Sequence, residues 1–186
     1  LYGLRPFGIV IDGEPLRFDG KAPAKPLQLL RLLIAQGGEP TAIGGVMDRL
    51  WPDLEADDAR RAFDVTLNRL RALLVQRDVL LLADGKLGFD AHRVWIDTHA
   101  LAQVLREAGT NAADAAARKR SFERIARLYR QPLLAGDDDP WIVGAREQWR
   151  RRFMLAVDAL AREAERAGDA AETAWMRQWA ASLAAD

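Results

Sequence analysis

The sequence predicts an α+β chain in two parts, with strands and three helices first and helices alone afterwards. Three observations carry this. Two hairpin signals, Asp12-Gly13 and Asp84-Gly85, both lie in the first half between apolar runs. Helical periodicity is strongest just before the second of them. After Trp95-Ile96 strand signals vanish, and Ala, Arg and Glu dominate to the end. The boundary is expected between Ala91 and Asp97, giving parts at 1–95 and 96–186.

Taken in order, Phe7 to Ile11 and Pro15 to Phe18 flank Asp12-Gly13-Glu14 as a first hairpin. Pro26, in a first helical turn, opens a helix over 27–36, with Leu29, Leu30, Leu33 and Ile34 as its buried stripe. Gly37-Gly38 closes that helix as a left-handed stop. A short extended piece at 39–41 leads to a second helix over 43–51, ended by Pro52. Ala42 and Gly44-Gly45 make a weak start for it unless Thr41 supplies a cap. The third helix starts near 56–58, where aspartates suit both an N-cap and the positive end of the helix dipole.

At about 100° per residue, Ala59, Phe63, Leu67, Leu70 and Leu74 line one face of this helix. Arg61, Val65, Asn68 and Ala72 line the other, with Asp64 and Arg69 at its margins. A hairpin over 79–90 follows at once, with Lys86 beside its turn. In the second part, helices are expected from Asp97 to about 108, over 112–129, from Pro140 to 167 with Gly168 as the stop, and from Asp169 onward. Helices of this length joined by short turns suggest antiparallel helical hairpins of the tetratricopeptide kind, although no clean 34-residue self-repeat is present.

Composition narrows the function. The chain has 186 residues, 49% of them hydrophobic and 29% charged, as in an ordinary water-soluble domain. It contains no cysteine, which removes disulfides and thiolate chemistry and suits a cytoplasmic location. No apolar run reaches the length of a membrane span, and no leader pattern opens the chain. It begins at Leu1 and ends within a helical pattern, so it is read as a fragment of a longer polypeptide with further domains. Basic and acidic residues balance, at 13 against 13 over 1–96 and 14 against 14 over 97–186. Most duplex-binding domains are basic, because phosphate neutralisation supplies their non-specific affinity. Only local clustering can therefore support a nucleic-acid reading.

A helix followed directly by a hairpin is how a winged helix presents itself to DNA. The layout of hairpin, three helices and wing resembles the OmpR/PhoB-type winged helix with its extra N-terminal sheet. The motifs that carry the resemblance are Leu50-Trp51-Pro52-Asp53 and Asn68-Arg69-Leu70-Arg71 followed by Leu73-Leu74. The second part carries Val94-Trp95-Ile96-Asp97, Leu128-Tyr129, Leu133-Leu134, Pro140-Trp141 and Arg146-Glu147-Gln148. By these pieces it resembles the bacterial transcriptional activator domain of SARP-type pathway regulators and the C-terminal part of large MalT-like ATP-dependent regulators. The match covers nearly the whole chain.

By position, the resemblance implies DNA contacts from Trp51, Arg61, Asn68, Arg69, Arg71 and Lys86. It also implies an RNA polymerase-contacting loop at Asp53, Glu55 and Asp57, for which acids satisfying a helix dipole are the plain alternative. The implied partners are double-stranded DNA, RNA polymerase and a second copy of the chain, the helical part mediating dimerisation or signal transmission. No cofactor or membrane is implied.

Each sharp reading has a plain one beside it. Arg60, Arg61, Arg69 and Arg71, set against Asp64, form either a phosphate anchor with base contacts or a solvated face with Asp64–Asn68–Arg61 side-chain pairs. Val65 and Ala72 can touch thymine methyls but give no hydrogen-bonded readout. Trp51 fits a core position between the second and third helices with its indole N–H still free for a phosphate. Arg146, Arg150, Arg151 and Arg152 around Trp149 form either a nucleic-acid contact or a solvated face with a packed Trp, and Trp175 with Trp179 fits a core or docking face. A protein-interaction scaffold that no longer reads DNA is the competing function.

Enzyme chemistry is not expected. His92 and His99 lack metal-ligand spacing, and Ser121 and Ser182 stand outside any nucleophile elbow. Gly37-Gly38 and Gly44-Gly45 lack a phosphate-loop lysine.

Overall fold

The computed structural model describes residues 1–18, 20–75, 77–110 and 112–184. It combines helices and small sheets, an α+β composition, in two compact units. Leu1–Gly3 with Phe7–His99 form the first, and Leu4–Pro6 with Ala100–Asp186 the second. Among the described residues no helix is long and apolar enough to cross a membrane.

In the first unit, β1 (Val10–Ile11) and β2 (Glu14–Pro15) pair antiparallel around Asp12-Gly13, both of positive φ. The strands are shorter than the apolar runs suggested, although the Leu16 N–H still donates to the Ile9 carbonyl at 2.9 Å just beyond the ladder. Helix α1 (Ala24–Ala35) starts three residues before the predicted 27. Pro26 occupies its third position, where an N–H has no intrahelical partner anyway. Gly37 and Gly38 end it at φ 68 and 87.

Helix α2 (Ile43–Leu50) follows β3 (Thr41–Ala42), and α3 (Ala56–Leu73) follows the Pro52 stop. Thr41 supplies no cap to α2, and its hydroxyl donates to the Glu39 carbonyl at 3.4 Å. The Ile43 N–H instead donates to the Gly85 carbonyl at 2.9 Å, so a distant turn satisfies the start of this helix. On α3 the N-cap position falls to Glu55 with no side-chain bond, and Asp57 and Asp58 sit inside the first turn. Their role is therefore with the dipole rather than as caps.

Ala59, Phe63, Leu67, Leu70 and Leu74 are buried, as periodicity requires, and pack with Leu29, Leu30, Leu33 and Ile34 of α1 in one core. Burying Phe63 completely contributes roughly 2–3 kcal/mol. After a 3-10 turn (Arg77–Val79) come β4 (Leu80–Ala83) and β5 (Lys86–Phe89), joined by Asp84-Gly85 at φ 50 and 69. Two adjacent positive φ values give the hairpin turn whose twist matches its strands. The strand order is β3-β5-β4, with Thr41 opposite Leu87 and Ala42 opposite Lys86.

The second unit is helical. Helix α4 (Asp97–Thr110) starts in the first unit, where the Asp97 carboxylate accepts the Gly3 N–H through both oxygens at 2.9 Å. Helix α5 (Ala115–Leu128) begins later than the predicted 112 because Asp114 caps it, accepting from Ala116 and Ala117 at 3.3 and 2.9 Å. Helix α6 (Pro140–Arg166) ends at Ala167 before Gly168, and α7 (Ala170–Ala184) starts where Asp169 accepts the Glu172 N–H at 2.8 Å. Arg118 is buried and bound to Glu172 at 2.7 and 2.9 Å and to the Ala112 carbonyl at 3.1 Å. This ion pair joins α5 to α7, and no sequence spacing announces it.

One expectation for this unit changes, that for Arg146. Arg146 is not on a solvated face, because it donates to the carbonyls of Leu133, Leu134 and Asp137 and so shapes the loop before α6. Trp149 is buried beneath Arg152. Trp175 and Trp179 both meet Phe122 edge to face, but Trp175 stays 46% exposed.

Candidate nucleic-acid interface

The predicted contact residues come from α3, from the segment that precedes it, and from the β4–β5 hairpin. On α3 the buried stripe fixes the rotation of the helix, which leaves Arg61, Val65, Asn68, Arg69 and Ala72 exposed together on the outer face. Within Ala56–Leu73, four arginines stand against Asp57, Asp58 and Asp64, leaving one positive charge in surplus.

The arginines differ in what holds them. Arg60 Nε lies 3.1 Å from Asp64 Oδ2, and Arg61 pairs with Asp58. The Asp64–Asn68–Arg61 pairs of the plain alternative are replaced by Arg60–Asp64 and Arg61–Asp58. These are exposed contacts, worth at most about 1 kcal/mol each and open to exchange with a better acceptor. Arg69 is exposed and has no hydrogen-bond or ion-pair partner among the described residues. Arg71 is half-buried, and its Nη2 donates to the Leu80 carbonyl at 3.3 Å. In this geometry Arg71 ties the end of α3 to β4 instead of facing outward.

Lys86 is exposed at the first position of β5, one residue beyond the hairpin turn. The bond from Ile43 to Gly85 ties that turn to the start of α2, so Lys86 is carried on a fixed support. Trp51 is half-buried at the C-cap of α2, and the Lys25 ammonium lies 5.5 Å from its ring centroid. Lys25 also donates to the Leu50 carbonyl at 2.7 Å. Lys25 was not among the sequence candidates, since nothing in the spacing of the two residues links them. Asp53, Glu55 and Asp57 are all exposed before and within the first turn of α3.

Among the described residues no group of three or more His, Asp or Glu is placed to hold a metal ion. The His99 ring packs against Gly38, and the His92 backbone N–H donates to Asp90.

Among solved structures, the chain is similar to Mycobacterium tuberculosis EmbR in complex with a low-affinity phosphopeptide. The TM-score is 0.65 at 21% identity, covering 91% of this chain and 46% of that one. The likeness is one of fold, and the chain spans about half the length of that protein. The chain matches no protein-family model and no curated protein.

Proposed function

We propose that the chain is a DNA-binding module of a bacterial transcriptional regulator, a winged helix of the OmpR/PhoB type followed by a tetratricopeptide-like activator domain as in SARP-type regulators. Helix α3 lies in the major groove and the β4–β5 hairpin is the wing. The observation that carries this is the outer face of α3, where Arg61, Asn68 and Arg69 stand exposed on a helix followed at once by a supported hairpin with Lys86 beside its turn. Arginine and asparagine are the side chains that make paired hydrogen bonds to guanine and adenine edges. Val65 and Ala72 between them offer apolar contact to thymine methyls. Similarity of fold to EmbR supports a regulator role.

Roles divide by position. Arg69 and Arg61 reach base edges, Lys86 and the Trp51–Lys25 pair meet backbone phosphates, and Arg71 positions the hairpin. Asp53, Glu55 and Asp57 form an exposed acidic edge beside the DNA-reading helix, suited to a basic partner such as a polymerase subunit. The second reading, an interaction scaffold, draws on one observation: Asp58 and Asp64 already occupy Arg61 and Arg60.

Selection of bound fragments from genomic DNA, followed by binding assays across salt, separates the two. Arg69→Ala is expected to lose discrimination at one base position, by about 1–3 kcal/mol. Lys86→Ala is expected to weaken every duplex alike and flatten the salt slope by about one unit. Enrichment of no sequence, or binding indifferent to salt, overturns the DNA reading and favours the scaffold.

A further inference from the structure

A cleft of about 260 Å³ opens in the first unit among the β1–β2 hairpin, the end of α3 and the segment that follows β5. Ile9, Leu74, Val79 and Phe89 line it with apolar surface. Tyr2 and Trp95 stand in the same wall, meeting edge to face at 5.7 Å. Trp95 is 52% exposed, so a large indole is left half in water beside apolar neighbours. A ligand that covers it gains the burial that the fold alone does not provide.

Charge decides what kind of ligand that is. Arg93 lines the cleft, but its Nη1 lies 3.3 Å from Asp78 and its Nε 3.6 Å from Asp90. The cationic side chain of the lining is thus countered. Asp12 is the remaining charged side chain. It is exposed, held in the hairpin turn at φ 51, and has no hydrogen-bond or ion-pair partner among the described residues. An unpaired carboxylate in the same lining as two aromatic rings attracts a cation and not an anion. The volume lies just below the range of about 300–1,000 Å³ for drug-sized ligands, which suits one ring system and excludes a nucleotide.

We propose that this cleft binds a small amphipathic amine, its apolar body against Trp95 and Tyr2 and its ammonium on Asp12. The proposal does not depend on the DNA reading. Tryptamine and indole-3-acetate share a ring and differ in charge, so they are titrated into the chain while the Trp95 indole N–H resonance, assigned with Trp95→Phe, is followed. Tryptamine is expected to shift that resonance saturably. Indole-3-acetate is expected to bind at least about fivefold more weakly, as is tryptamine with Asp12→Asn. Asparagine accepts the same positive φ, so this variant keeps the turn. No saturable shift with tryptamine, equal binding of the two ligands, or an unchanged affinity in Asp12→Asn would each overturn the proposal.

Discussion

Gly38 has φ +87, and a Cβ placed on it would lie 2.8 Å from Cγ of the His99 ring. Backbone strain and steric overlap act together there, so Gly38→Ala is expected to lower unfolding free energy by about 1–3 kcal/mol in urea titrations. A variant as stable as the parent would mean that the ring is not held against the turn. Tyr129 presents a different problem, a buried polar atom. Its ring stacks on Phe153 at 4.3 Å, while its hydroxyl has no hydrogen-bond partner among the described residues. Burial pushes the phenol pKa up, against the pull of Arg150, with Glu147 adding to the rise and Arg146 opposing it. Since burial favours the neutral form, the contribution of Tyr129 is complete below the ordinary tyrosine pKa, about 10, and is lost as pH climbs through the raised value. Tyr129→Phe keeps the stacked ring and deletes the unsatisfied hydroxyl. It is expected to raise stability by up to about 1 kcal/mol at neutral pH and to remove this residue's share of the alkaline loss above about pH 10. Parallel stability curves for parent and variant above that pH would refute the assignment.

Among the elements, α2 is the weakest by its own sequence, eight residues with no side-chain cap and two glycines in its first turn. A Cβ on Gly44 would meet nothing within 4 Å, and the residue is exposed. Gly44→Ala therefore reduces the entropy of the unfolded chain at no steric cost and is expected to stabilise by about 0.5–1 kcal/mol, read as a rise in thermal midpoint. A lower midpoint would show that α2 needs the glycine for something other than helix. What was legible in the sequence follows from the range of the forces involved. The stripe from Ala59 to Leu74 and the turns at Asp12-Gly13 and Asp84-Gly85 depend on neighbours within a few residues, so pattern alone finds them. The same stripe fixed which of the candidate residues stand exposed on α3. Not legible were the bond from Ile43 to Gly85, the turn of Arg71 toward the Leu80 carbonyl, the clamp of Arg146 on three loop carbonyls and the Arg118–Glu172 pair. Each of these joins partners that only the folded chain brings together, and backbone carbonyls carry no sequence signature at all.

For the molecule as a whole the governing fact is electrical neutrality, 27 basic against 27 acidic residues. A neutral chain gains little from the long-range phosphate attraction that draws basic proteins to any duplex, so on the proposed function its affinity has to come from the few cations on α3 and the hairpin, with Lys25. Two of those are already shared with acids, Arg60 with Asp64 and Arg61 with Asp58. Binding DNA then means exchanging an intrahelical carboxylate for a phosphate or base edge, which holds non-specific affinity down and leaves discrimination to well-fitted sites. Replacing both acids tests this directly. Asp58→Asn/Asp64→Asn frees Arg60 and Arg61 and removes two charges that repel phosphate. Affinity for an unrelated duplex is expected to rise, and the slope of log K against log salt to steepen by about one to two units, as fluorescence anisotropy over a series of KCl concentrations would record. The ratio of specific to non-specific affinity is expected to fall. Asp58 also faces the positive end of the α3 dipole, so its loss costs about 0.5 kcal/mol of stability, small enough to leave the fold intact and checked by thermal unfolding of the same variant. A folded double variant with unchanged affinity and salt slope would mean that the outer face of α3 does not meet phosphate, and the interaction-scaffold reading would then account for the exposed arginines better.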